Sequence, residues 1–304
     1  MQTQINRFPI QTRRTIRHKL DKHKKLQKLT TKLYLKYCNI TGFSHVLPDF
    51  LIIGFPKCGT TSLYEYLLQH PDIHPPIGKE IDYFDRLYFR GKNWYKVRFP
   101  TFFEKYFFTK VLGRDFLTGE ATPRYMVHPH ALNRIKKIIP TAKFIVLLRN
   151  PIDRAFSHYN MNFRNGYEYL SFEEAIKKEK SRIERRYEKM VNEQNYYSWD
   201  YDLFAYLQQG IYFDKIKRWF EIFPREQFLI LQSEDFLENP SKIYYQTLEF
   251  LNLHRWEPLE FKLYKTRLNK SNKIKPEFRQ FLLEFFKQYN ENLFKLLGRR
   301  YNWD

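Results

Sequence analysis

Apolar residues along this chain of 304 residues fall into two kinds of run. Short unbroken ones, such as Phe50-Leu51-Ile52-Ile53 and Phe144-Ile145-Val146-Leu147-Leu148, read as strands buried on both faces. We place strands near 50–54, 115–119, 143–149 and 228–232. Between them, apolar positions recur at helical spacing. Leu63, Leu67 and Leu68 predict a helix that opens at Thr60 and stops at His70-Pro71. Ser171 with Glu174 makes a capping-box start to a charged helical pattern over 171–195, either a flap over a site or a surface hairpin. A last helix is predicted from Pro276 to about Leu297, its Phe278, Phe281, Leu282, Phe285 and Phe286 sharing one face as core cover. Strands alternating with helices imply an α/β fold: a three-layer sandwich whose central parallel sheet carries helices on both faces and ligands at its strand C-termini.

The turn after the first strand carries the strongest chemical signal. In Gly54-Phe55-Pro56-Lys57-Cys58-Gly59-Thr60-Thr61-Ser62 an apolar strand feeds a glycine-bounded turn that opens a helix. Such a turn can aim backbone N–H groups at an anion, and the helix N-terminus adds its dipole and three hydroxyls. It is P-loop-like without being a nucleoside triphosphate loop, because lysine precedes the second glycine where GxxxxGK[ST] places it after. The strand at 143–149 ends in Arg149, where a metal-binding triphosphatase would place an aspartate. A cation there repels a metal ion and attracts another phosphate. Arg149 opens Arg149-Asn150-Pro151-Ile152-Asp153-Arg154-Ala155-Phe156-Ser157, with proline suited to a helix start and Ser157 about two turns along.

These two strand–loop–helix units together resemble the sulfotransferases that use 3′-phosphoadenosine 5′-phosphosulfate (PAPS). The resemblance runs from about residue 48 to the C-terminus. It is carried further by Gly210-Ile211-Tyr212 with Trp219-Phe220 and Phe223-Pro224, and by Phe228 to Leu231 with Glu234-Asp235-Phe236 and Asn239-Pro240. It implies that Lys57, Cys58, Gly59, Thr60, Thr61 and Ser62 bind the 5′-phosphosulfate, and that Arg149 and Ser157 bind the 3′-phosphate. Tyr212 joins the nucleotide site on the same ground. Lys79-Glu80-Ile81-Asp82-Tyr83-Phe84 and the terminal Leu297-Gly298-Arg299-Arg300-Tyr301-Asn302-Trp303 resemble the heparan sulfate sulfotransferase branch. There the matching glutamate is the catalytic base, so the resemblance assigns Glu80 that role. Lys270 and Lys273 occupy the place of a basic nucleotide-covering loop, or else of a plain basic surface loop.

Sulfuryl transfer needs an in-line acceptor, a base, and positive charge where the phosphate leaves, which makes Lys57 the candidate for the leaving oxygen. PAPS would enter as co-substrate and adenosine 3′,5′-bisphosphate (PAP) leave as product, with no metal. Asp82 and Asp85 flank Glu80 and either orient an acceptor or are solvated loop charges. Glu120 and Arg124, in Gly119-Glu120-Ala121-Thr122-Pro123-Arg124-Tyr125, resemble an acceptor-side segment of the branch, whose basic residue is replaced here by Ala121. A carbohydrate-like or small hydroxylated acceptor is expected, with Arg124 a substitute cation.

Composition modifies this picture at the N-terminus. Of the formal charge of +20, residues 1–47 supply eleven Lys or Arg against Asp21 alone, a basic arm preceding a single domain at 48–304. Leu26, Leu29, Leu33 and Tyr37 predict an amphipathic basic helix over about 17–38, which either touches an anionic membrane or polymer or docks on the domain. No run approaches the roughly 18 apolar residues that span a bilayer, and lysines interrupt the one candidate signal core, so a cytoplasmic location is expected. Cys38 and Cys58 offer no disulfide framework, and the nine histidines no metal-ligand spacing. Two other functions compete. A P-loop phosphotransferase is disfavoured by the displaced lysine and by Arg149. A nucleic-acid-binding protein would suit the charge, but no recognised motif accompanies it and no specific nucleic acid is expected.

Overall fold

The computed structural model describes residues 30–261 and 274–303. A first helix, α1, occupies 30–41. Strand β1 (Phe50–Gly54) then leads into α2 (Thr60–Leu67), followed by a π-helical turn at Tyr83–Leu87 and two short helices, α3 (Lys92–Lys96) and α4 (Phe102–Tyr106). Strand β2 (Gly119–Ala121), α5 (Ala131–Ile138), β3 (Lys143–Leu148) and α6 (Pro151–Arg164) come next. The chain continues through α7 (Phe172–Asn192), α8 (Trp199–Phe204), α9 (Phe213–Phe220), β4 (Phe228–Gln232), α10 (Ser233–Glu238), α11 (Pro240–Leu251) and α12 (Pro276–Leu297).

All strand pairs are parallel, in the order β2-β1-β3-β4. Strand β1 is buried at every residue, as its unbroken apolar run requires when helices cover both faces. Register pairs Gly54 with Leu147 and Ile52 with Ala121. The turns after β1, β2 and β3 therefore leave the same end of the sheet side by side, the place where parallel sheets hold ligands. One departure from the sequence reading is β2, which covers 119–121 in place of 115–119. Leu117 makes only an isolated bridge to Ile73, so pairing with β1 begins at Gly119. Gly119 is required there: a Cβ would lie 2.6 Å from the Phe50 carbonyl oxygen.

Local chemistry explains the helix boundaries. Asn150 caps α6, its side chain accepting from the Ile152 N–H at 3.0 Å, with Pro151 at the first helical position. Ser171 and Glu174 form the reciprocal capping box of α7, which ends at Asn192 and packs on α8. A second apolar cluster joins Ile152 and Tyr159 of α6, Phe172 and Ile176 of α7, and Leu282 and Phe286 of α12, so the last helix covers core through Leu282 and Phe286, with Phe278 and Phe285 partly buried, whereas Phe281, expected on the same face, is exposed. On α1, Cys38 is buried in the main core with Tyr34 and Leu35 packed beside it.

Candidate active site

Backbone geometry shapes the loop after β1. Gly54, Lys57 and Gly59 all have positive φ, 135°, 76° and 90°, and Gly59 sits at the N-cap of α2. An alanine at Gly59 would be strained whatever the space around it. Thr60 and Ser62 are buried in the first turn of α2. The Arg149 Nη1 donates to the Lys57 carbonyl at 3.2 Å, which joins the two phosphate-type motifs into one site. The Ser233 hydroxyl donates to the Cys58 carbonyl at 2.6 Å, and the Asn150 N–H donates to Glu234 Oε1 at 2.9 Å, so residues after β4 brace both loops. The Lys57 Nζ lies 3.7 Å from Met161 Sδ, and Ser157 is half-buried on the same helix, α6. An ammonium, a guanidinium and a set of hydroxyls make a donor set suited to phosphate or sulfate oxygens.

Two residues expected at the nucleotide have other surroundings. Tyr212 is buried, its ring 4.3 Å from that of Phe55, and its hydroxyl donates to the Arg149 carbonyl at 2.8 Å. It shapes the site from behind. Cys58 is also buried, which pushes its thiol up to about 12 and makes it a packing group. Lys270 and Lys273 lie outside the described residues.

On the other side of the loop, beyond β2, Arg124 organises a cluster of carboxylates. Its guanidinium lies 2.5 Å from Asp82, 3.3 Å from Asp85, 3.4 Å from Asp202 and 3.6 Å from Glu80. Burial alone would lower Arg124, but Asp202, Asp85, Asp82 and Glu80 raise it above the ordinary range. Burial pushes Asp202 up to about 7 and Asp85 up to about 6, in each case against the pull of Arg124. Glu80 is the open member, its side chain 40% exposed. Asp85 is buried and is not a solvated loop charge. Arg86 pairs with Asp82 at 3.0 Å and lies over the rings of Tyr197 and Trp199 at 4.8 and 4.5 Å.

Glu120 corrects an expectation. Placed among the acceptor residues by its sequence context, it is fully buried and accepts from four donors: the Tyr95 hydroxyl at 2.6 Å, the Thr122 hydroxyl at 2.7 Å, the Tyr125 hydroxyl at 3.0 Å and the Ile81 N–H at 3.3 Å. Burial pushes it up to about 7 despite those bonds. The Tyr83 N–H donates to the Tyr125 hydroxyl at 2.9 Å and Arg134 Nη1 donates to the Phe84 carbonyl at 2.7 Å. Glu120 thus clamps the backbone on either side of Asp82 from beneath and offers no edge to an acceptor.

Sequence reading missed Asp202 and its neighbour Tyr197, whose hydroxyl donates to Asp202 Oδ2. It also missed His158, held well below the usual imidazole range by burial and by the Arg154 and Lys57 cations. The available signal was slight: Ser198 caps α8, whose first turn holds Asp200 and Asp202, an ordinary helix start. Among the described residues, His70, Asp72 and His254 are close enough to share a metal ion. Internal partners already engage them. Arg114 holds Asp72 at 2.6 Å, while His70 Nδ1 accepts the Asp72 N–H at 3.1 Å and its Nε2 reaches the His254 carbonyl at 3.1 Å.

A glycine-bounded loop beside Arg149, at the C-terminal edge of a parallel sheet with helices on both faces, defines a P-loop-containing fold. Within that class the chain belongs to the sulfotransferase-domain family, whose model matches residues 47–288. A solved sulfotransferase from Alicyclobacillus acidocaldarius aligns at TM-score 0.64 and 31% identity, over 84% of this chain and 98% of that one. The membrane-associated sulfotransferase kil1 of Dictyostelium discoideum is 27% identical over 322 residues, 84% of this chain and 66% of its own length. Heparan sulfate glucosamine 3-O-sulfotransferase 3A1 of Mus musculus is 28% identical over 283 residues, 86% of this chain and 65% of its own. The chain spans just under two thirds of the length of these curated relatives. Among the described residues no helix is long and apolar enough to cross a membrane.

Proposed function

We propose that this chain is a PAPS-dependent sulfotransferase acting on a hydroxyl or amine of a carbohydrate-like acceptor. The observation that carries the reading is the contact between Arg149 and the Lys57 carbonyl, which brings the two anion-binding motifs to one place. Lys57, Gly59, Thr60, Thr61 and Ser62 would hold the 5′ end of the donor, and Arg149 with Ser157 the 3′-phosphate. When bound, the donor supplies an activated sulfuryl group and departs as PAP. Lys57 neutralises charge at the departing oxygen, and Glu80 takes the acceptor proton. The exposure of Glu80 suits a base that must meet an acceptor, while Arg124 fixes its direction from behind. No metal has a role in this scheme.

A carbohydrate-like acceptor agrees with the heparan sulfate named in one relative and with the exposed Trp199 ring beside the carboxylates. The charge at this end argues for an acceptor with few sulfates. Ala121, where the branch carries a cation, is buried, and Arg124 is engaged by carboxylates. A cytoplasmic place of action is in keeping with Cys38 and Cys58 both being buried free thiols.

Calorimetry of PAP binding in EDTA tests the donor side. Wild type should bind without metal, and Arg149→Ala should bind about tenfold or more weakly, the loss expected for a charge-assisted hydrogen bond. Absence of PAP binding, or binding of ATP only when magnesium is restored, would overturn the proposal in favour of a phosphotransferase, and PAP binding indifferent to Arg149 would remove Arg149 from the donor site.

A further inference from the structure

Helix α4 and the turn after it, Phe107–Val111, contain no buried residue. Yet the stretch reads Phe102-Phe103-Glu104-Lys105-Tyr106-Phe107-Phe108-Thr109-Lys110-Val111-Leu112. Phe103 is 76% exposed, and Phe102, Tyr106, Phe107 and Val111 also face solvent. Helix α1 shows the same feature on its outer side. Leu33, Tyr37 and Ile40 fall at i, i+4 and i+7 and are all exposed, while Tyr34, Leu35 and Cys38 turn to the core. The sequence carries that spacing back to Leu29 and Leu26, outside the described residues.

The two surfaces meet at Lys96. Its Nζ donates to the Phe43 carbonyl at 3.4 Å and stands 5.3 Å over the Phe102 ring, and Phe43 is itself 73% exposed. The bridge between His45 and Thr101 sets the end of α1 beside the start of α4. Cations are interleaved with these rings. From Lys92 to Leu112 the chain has five Lys or Arg, of which Lys105 pairs with Asp49 at 3.4 Å, and one acid, Glu104, which is tied into the α4 capping box. Lys32 and Lys36 lie along α1, and residues 1–29 add nine Lys or Arg against Asp21.

We propose that this face, the outer stripe of α1 with Phe43 and the 102–112 segment, docks the protein peripherally on an anionic lipid membrane. A contiguous apolar patch of this kind marks an interaction surface. Its chemistry selects the partner. Protein interfaces are depleted of lysine at their centres, whereas aromatic rings mixed with lysines suit the boundary between acyl chains and anionic headgroups. The rings enter the boundary and the lysines remain at the headgroups, with residues 1–29 adding attraction through their charge.

The test is co-sedimentation of the full chain with phosphatidylcholine vesicles, with and without phosphatidylserine. Partition should be about tenfold or more stronger on the anionic vesicles and weaken in high salt. Phe103→Ser with Phe107→Ser should cut it about tenfold, as should Leu33→Ser with Ile40→Ser, because each pair removes inserted apolar surface. Both pairs alter exposed side chains, so unfolding midpoints should match wild type. Equal partition on the two vesicle types, or anionic binding that neither pair reduces, would overturn the proposal. Sedimentation equilibrium supplies the remaining arm: a dimer that the same substitutions dissociate would assign the face to a second copy and refute membrane docking.

Discussion

Replacing Arg124 by Ala removes a guanidinium that four carboxylates share at 2.5 to 3.6 Å. Asp85 and Asp202 are then left buried beside Asp82 with their shared counter-charge gone. Removing one partner of a buried pair costs about 3–5 kcal/mol, and because the Arg124 side chain is 20% exposed we place the loss near the lower end. At roughly 2–4 °C per kcal/mol for a domain of this size class, the unfolding midpoint should fall by about 6–12 °C. The loss should also depend on pH. Burial already pushes Asp85 up to about 6 and Asp202 up to about 7, so their contribution is full below the unfolded values and is lost as pH rises through the folded ones. Without Arg124 both rise further. The deficit measured by urea unfolding should therefore be largest at about pH 8 and shrink at about pH 5, where the carboxyls are protonated. Arg124→Lys should recover only part, since an ammonium cannot fork across the cluster. A deficit below about 1 kcal/mol, or one equal at the two pH values, would refute the view that Arg124 holds these acids together.

Asp202→Asn should flatten the fall in stability between about pH 4 and about pH 7, because Asn carries no charge to bury. Urea unfolding across that range checks it, and an unchanged slope would mean that Asp202 titrates normally. Gly119→Ala should destabilise by about 1–3 kcal/mol, since the new Cβ meets a backbone oxygen that cannot move aside; thermal unfolding decides. Glu80→Gln should lower turnover about 10²–10⁴-fold while PAP binding measured by calorimetry stays within about twofold. Weakened PAP binding in that variant would count against a role as base. Lys57→Ala should abolish turnover in the same assay, through loss of charge stabilisation at the leaving oxygen.

Much of the proposed donor side is legible in the sequence, because its signals are local. An apolar run long enough for a buried strand, glycines where the backbone takes positive φ, and Asn-Pro at a helix start each act within a few residues of their effect. That is why β1, β3, β4, α2 and the last helix lie close to where the pattern placed them. Local windows fail where a residue's surroundings come from distant elements. Glu120 and Glu80 are both placed at the acceptor end by resemblance, and neither local sequence says which of them is buried. Glu120 is committed to the interior by Tyr95 and Ile81 from another part of the chain, while Glu80 stays open. Tyr212 is hidden by Phe55 for the same reason.

Asp202 is the instructive miss. Nothing around it distinguishes it from Asp200, which lies exposed against Arg186. The difference arises because α8 turns Asp202 toward Arg124, on the turn after β2, at a point that also receives Glu80, Asp82 and Asp85. That turn has its own sequence signal, but what Arg124 does depends on how many acids reach it. One reaching acid would leave donors on the guanidinium to spare for an acceptor. With four, the same guanidinium becomes an internal counter-ion. The net charge at this point is therefore a property of the assembled cluster, and a sequence that names every member still leaves the count unread.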